Sequence, residues 1–134
     1  MKAFKNTVVP ILIAGIWVSI SEFVRNELIA KSYWIEHYNK MKLIFPSEPV
    51  NGIVWGIWGF LLAIVIFILS KKYALLQTLL LSWLTSFLMM WLVIGNLGVL
   101  PFGILWIAVP LSVVEVSIAA LVIYKLPSKM NNRP

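Results

Sequence analysis

Four long apolar segments alternate with short polar stretches along the chain. The segments cover about residues 7–27, 50–70, 73–96 and 103–125. Each is close to the roughly 20 residues that an α-helix needs to cross a hydrocarbon layer of about 30 Å. Lipid cannot satisfy open backbone hydrogen-bonding groups, so spanning segments of this kind are helical. The pattern predicts an all-α integral membrane protein, a four-transmembrane-helix bundle formed by one domain of residues 1–134.

The stretch between the first two apolar segments has a helical pattern of its own. Residues 28–44 contain no helix breaker, and Glu36 and Lys40 stand at i,i+4 spacing, which favours a helical ion pair. Tyr33, Trp34 and Tyr38 are side chains typical of headgroup depth. We therefore predict an amphipathic interfacial helix in this first outer loop, lying along the membrane surface.

Composition supports the membrane assignment. Hydrophobic residues make up 61% of the 134 positions, charged residues only 12%, and the mean hydropathy is +0.94. Soluble domains are about 45–50% apolar and about 25% charged, and a small one leaves much of its surface in water. The net charge of +6 comes from cations at segment ends, a pattern typical of topology signals and contact with anionic headgroups. We expect the lipid bilayer as a partner and no nucleic acid.

The distribution of cations between the two sides predicts the orientation. One side carries Lys2, Lys5, Lys71, Lys72, Lys125, Lys129 and Arg133. The other side carries Arg25, Lys31, Lys40 and Lys42, offset by Glu27, Glu36 and Glu48. Cytoplasmic loops are enriched in Lys and Arg. We therefore expect a multi-pass protein of the cell membrane with both termini in the cytoplasm.

Each apolar segment also carries a stripe of small or polar residues at helical spacing. In the second segment the stripe contains Gly52, Gly56 and Gly59. Small residues let membrane helices approach closely. The stripe is interpreted first as a packing face within the bundle. The pair Gly52 and Gly56 leaves open a second interpretation, a contact between two copies in a homodimer.

The charged residues inside the apolar segments are the most informative. Glu115 stands about eleven residues, or roughly 16 Å of helix, past the outer start of its segment. A carboxylate near the midplane is costly and usually faces a partner or a water-filled cavity. It is expected to be neutral unless Arg25 reaches it. Glu22 and Arg25, at i,i+3 spacing, form a natural local pair.

These residues suggest a polar pocket that opens outward. Its predicted members in the outer third are Glu22, Arg25, Asn26, Glu48, Asn51 and Asn96, with Glu115 below them and Trp55 and Trp58 as candidate walls. The predicted ligand is a small amphiphilic or cationic molecule. Two alternatives remain open. The charged groups could form a buried ion-pair network that holds helix register, and the tryptophans could belong to core packing or an interface belt.

The sequence contains few groups suited to metal or covalent chemistry. It has no cysteine, no aspartate and one histidine, His37. It also lacks a Gly-rich phosphate loop and a nucleophile elbow. We therefore predict no metal and no cofactor, and assign no catalytic residue. Binding or transport is the favoured function. The alternatives are an intramembrane enzyme acting on a lipid or isoprenoid, with Glu115 or Glu22 as general acid or base, and an accessory subunit of a larger membrane complex.

Four spans and an embedded glutamate are also features of the small multidrug resistance transporters. In that family the essential glutamate lies in the middle of the first span. Here Glu22 lies toward the outer end of the first segment, and Glu115 belongs to the last. The residues that would carry the resemblance do not match, so the sequence assigns the chain to no family.

Overall fold

A computed structural model describes the backbone of residues 2–131 and the side chains of residues 4–127. Within this range all regular elements are helical. Helix α1 (Lys2–Phe23) continues as a π-helix, π1 (Val24–Ile29), and is followed by α2 (Lys31–Lys40) and α3 (Pro49–Ser70). Helix α4 (Leu75–Trp83) runs through a second π-helix, π2 (Leu84–Leu88), into α5 (Met89–Asn96). A 3₁₀ turn (Phe102–Ile104) leads into α6 (Leu105–Asn131).

Four of these helical stretches are long and apolar enough to cross a membrane, which confirms the four apolar helices predicted from the sequence. They are Phe4–Ile29, Pro49–Ser70, Leu75–Asn96 and Phe102–Pro127. The third contains α4, π2 and α5 in one continuous run. Pro49 occupies the start of α3, where its missing N–H has no helical partner to lose.

The helices pack as a bundle with α3 and α6 in contact at its centre. Helix α1 packs against both of them from one side, and α4 packs against both from the other. Small side chains such as Ala14, Ala63, Ala119 and Ala120 are fully buried at the contacts and allow the helices to approach closely. Large aliphatic side chains, Ile16, Leu61 and Leu80 among them, cover the outside. An apolar exterior is the surface that lipid requires.

Helix α2 is shorter than the predicted interfacial helix of residues 28–44. Residues 28 and 29 belong to π1. At its other end, α2 terminates in a Schellman motif. There the N–H of Leu43 bonds to the carbonyl of Tyr38, and Lys42 adopts a φ of 59°. The helix lies beside the loop before α6, where Nε2 of His37 is 2.8 Å from the carbonyl oxygen of Gly98. No residue of α2 is fully buried.

The glycine stripe on α3 divides into packed and open positions. A Cβ on Gly59 would lie 2.9 Å from Oγ of Ser19, so this glycine permits the close contact with α1. At Gly52 and Gly56 an added Cβ would meet no heavy atom within 4 Å. The predicted packing role within the bundle therefore holds for Gly59 and is wrong for Gly52 and Gly56. The reason is that the first two turns of α3 leave most of their side chains exposed.

Candidate functional site

Three charged side chains meet inside the bundle. Glu22 comes from the last turn of α1, Arg25 from π1 and Glu115 from α6, and only 3%, 4% and 2% of their surfaces are exposed. Nη1 of Arg25 donates to Oε2 of Glu115 over 2.8 Å, and Nη2 pairs with Oε1 of Glu22. We call these three residues the charged triad. The sequence left open whether Glu115 faces a partner or a water-filled cavity; in the structure it faces a partner, Arg25, which lies 90 positions away along the chain.

The π-helix π1 explains how Arg25 comes to face inward. A π-turn places one extra residue in the helical repeat, as in the bond from the N–H of Ala30 to the carbonyl of Arg25, and changes which side chains point to the bundle. Arg25 is the buried residue of this segment. Asn26, next to it, donates through Nδ2 to Oε2 of Glu22 over 2.8 Å. The indole N–H of Trp34 in α2 bonds to the Asn26 side chain at 3.2 Å, so α2 supports the triad from outside.

An aromatic cluster closes the site on the side of π2. The guanidinium carbon of Arg25 lies 4.9 Å from the ring centroid of Phe87, a distance at which the ring face attracts a cation. The centroids of Trp58 and Trp91 are 5.3 and 5.6 Å from that of Phe87. The two π-helices therefore meet through Arg25 and Phe87. Phe87 could not be identified from the sequence, because nothing distinguishes it within a continuous apolar segment.

Two indole hydrogen bonds fix α6, which carries Glu115. Nε1 of Trp17 in α1 donates to the backbone carbonyl of Glu115 over 3.0 Å. Nε1 of Trp83 in α4 donates to Oγ of Ser112, one turn earlier in α6, over 2.9 Å. Helix α6 is thus held by polar contacts from both sides at the level of the triad. Neither indole is distinguished for this role by the sequence alone.

The structure brings together some of the predicted site residues and leaves others apart. Asn26 and Trp58 join the surroundings of the triad, and Trp55 stacks edge-to-face on Trp58 with centroids 6.0 Å apart. Glu48 and Asn96 are exposed and Asn51 is half-buried. In the described part of the chain none of these three hydrogen-bonds to the triad. Glu48 and Asn51 stand at the exposed start of α3, and Asn96 ends α5.

Two cavities of about 280 Å³ each lie elsewhere. One is an apolar cleft between α1 and α6, lined by Ile13, Ile118, Leu121, Val122, Lys125 and Leu126. The other lies between α2 and the loop before α6 and is lined by Tyr33, Glu36, His37, Lys40, Pro101, Phe102 and Gly103. Neither is lined by a residue of the triad. Among the described residues no group of three His, Asp or Glu side chains could hold a metal ion.

The charges of the triad do not balance. When all three groups are ionised, two carboxylates face one guanidinium, which leaves one negative charge in excess. Helices α3, α4 and α5 contain no ionisable side chain that could compensate it. In addition, Oε1 of Glu115 is buried without a hydrogen-bond partner. Buried charge without compensation is strongly unfavourable, so the triad is a place where a positive charge would be stabilised.

No protein-family model, curated protein or solved structure matches this chain. The fold and the site alone therefore define its class. It is an all-helical protein in which four helices of membrane-spanning length surround a buried charged triad.

Proposed function

We propose that this is a multi-pass cell-membrane protein that binds and transports a small cationic or amphiphilic molecule, with the charged triad as its binding centre. The excess negative charge of the triad carries the proposal, because it attracts a cation into an otherwise apolar bundle. The aromatic cluster around Phe87 adds to this, since ring faces attract cations.

A lipophilic cation tests the proposal directly. Tetraphenylphosphonium is titrated into the purified protein in detergent, and binding heat is measured by calorimetry. The parent protein is expected to bind the cation, and Glu115→Gln is expected to weaken binding at least tenfold, about 1.4 kcal/mol. Glu36→Gln, which removes a carboxylate of the surface pair with Lys40, is the matched control and should bind like the parent. Equal affinity of the parent and Glu115→Gln, or no binding by the parent, would contradict the proposal.

The proposed orientation has both termini in the cytoplasm and α2 along the outer surface. Four described cations support it, because Lys5, Lys71, Lys72 and Lys125 lie at the same end of the bundle. The side chains of Lys2 and Lys129 and the whole of Arg133, which the sequence predicts on the same side, lie outside the described residues. With no native cysteine, Ser47→Cys should react with an impermeant maleimide from outside, and Lys72→Cys only after the cells are opened. The reverse labelling would overturn this orientation.

A second candidate is an accessory subunit of a larger membrane complex, in which the triad only holds helix register. It is favoured by the position of both cavities away from the triad. The open face of Gly52 and Gly56 offers such a complex, or a homodimer, a place for close helix contact. Mild detergent extraction followed by mass measurement separates the cases. A second polypeptide species at fixed stoichiometry supports the subunit, and twice the chain mass supports the homodimer.

A further inference from the structure

The two carboxylates of the triad have unequal surroundings. Oε1 of Glu22 pairs with Arg25, and Oε2 accepts a hydrogen bond of 2.8 Å from Asn26. Glu115 receives one donor, from Arg25 to Oε2, and its Oε1 is buried with no partner. Hydrogen bonds to an ionised carboxylate stabilise its charge. Arg25 does reach Glu115, but the same guanidinium also pairs with Glu22 and can balance only one carboxylate. Glu22 is therefore the better anion, and Glu115 is the group better suited to being neutral.

Among the described side chains, no ionisable group outside the triad forms an ion pair or hydrogen bond with it. The other ionisable residue of π1, Glu27, pairs through Oε2 with Nζ of Lys31 in α2 at 2.6 Å, where both side chains are partly exposed. Helices α3, α4 and α5 and the π-helix π2 contain no ionisable residue. On α6 the next one is Tyr124, more than two turns away, where its hydroxyl is 3.0 Å from Oγ1 of Thr78. The balance between two carboxyls and one guanidinium is thus decided within the triad itself.

We infer that the charged triad binds one exchangeable proton, carried on Oε1 of Glu115. The proton comes from water and converts the Glu115 carboxylate to a carboxylic acid, and its release restores the carboxylate; no other bond forms or breaks. Protonation leaves one carboxylate, Glu22, opposite one guanidinium, so the buried site becomes neutral. The inference deepens the proposed function and rests on it in one respect: the cationic ligand and the proton compete for Glu115.

Infrared difference spectroscopy of the protein in lipid nanodiscs near neutral pH tests, with no ligand present, whether Glu115 carries this proton. The C=O stretch of a protonated carboxyl is separate from the bands of carboxylates and amides. The parent is expected to show this band with the intensity of one buried carboxyl. Glu115→Gln should lose it because the acid is gone. Glu22→Gln should lose it too, because one carboxylate then matches one guanidinium. The surface control Glu36→Gln should keep the band.

Arg25→Gln provides the opposite change, since two carboxyls without a cation should both be protonated and the band should increase about twofold. Absence of the band in the parent, or its survival in Glu115→Gln or Glu22→Gln, would overturn the inference. Glu115→Gln and Glu22→Gln decide the question even if Arg25→Gln does not fold.

Adding tetraphenylphosphonium to the parent protein then separates the proton site from the proposed cation binding. Loss of the band supports competition, whereas an unchanged band with no bound cation leaves the proton site standing and removes the proposed ligand function.

Discussion

The charged triad and the exposed ion pair of α2, Lys40 and Glu36, have similar chemistry in different surroundings. Nη1 of Arg25 lies 2.8 Å from Oε2 of Glu115, and the two side chains are only 5% and 1% exposed. Nζ of Lys40 lies 2.7 Å from Oε1 of Glu36, and these two side chains are 70% and 69% exposed. Water screens the exposed pair, and two mobile side chains must be ordered to form it. In the bundle no water replaces a lost partner, so the surroundings, rather than the bond length, decide the importance of each pair.

The largest effect is expected for Arg25→Gln. It leaves two buried carboxyls without their cation, and removing one partner of a buried pair costs about 3–5 kcal/mol. The free energy of unfolding, measured by denaturant titration in detergent, should fall by about this amount. The double variant Arg25→Gln/Glu115→Gln should recover part of the loss, because the two residues are directly coupled. Strictly additive effects would show that Arg25 and Glu115 do not interact.

Two glycines of α3 show the same contrast between a buried and an exposed position, and the next largest effect is expected at the buried one. Gly59→Leu forces a side chain against Ser19 and Val18 of α1, and overpacking of this kind costs about 1–3 kcal/mol. Gly56→Leu, the matched control three residues earlier, adds the same side chain in open space and should leave the unfolding free energy unchanged. Equal losses in both variants would mean that α3 is rotated relative to α1.

The smallest effect is expected at the exposed pair. A hydrogen bond from Lys40 holds the pKa of Glu36 below its ordinary value. A carboxyl with a lowered folded-state pKa stabilises the protein above its unfolded pKa, and the contribution disappears as the pH falls through the folded pKa. Because water screens this largely exposed pair, we expect Glu36→Gln to lower thermal stability near neutral pH only slightly, far less than Arg25→Gln does. A loss comparable to that of Arg25→Gln would refute the comparison.

Much of the fold could be predicted because the signal is local. Length and hydropathy identify the four apolar helices, since a helix satisfies its backbone hydrogen bonds within its own segment. The polar exceptions inside them, Glu22, Arg25 and Glu115, were also identifiable, because an ionisable residue in an apolar segment needs a partner wherever it lies. Their pairing was only one of several arrangements compatible with the sequence.

Other features depend on tertiary contacts. Hydropathy contains no signal for the two π-helices, which turn Arg25 inward and bring Phe87 under it. Periodicity places Gly56 and Gly59 in one stripe, but in the structure only Gly59 is in close contact with α1. Likewise, the bare Oε1 of Glu115 follows from the positions of donors on other helices. The sequence by itself determined which segments are helical and apolar, because that preference belongs to each residue and adds along the chain. Which side chains meet was decided by the tertiary structure, because a contact depends on two helices and on their relative rotation.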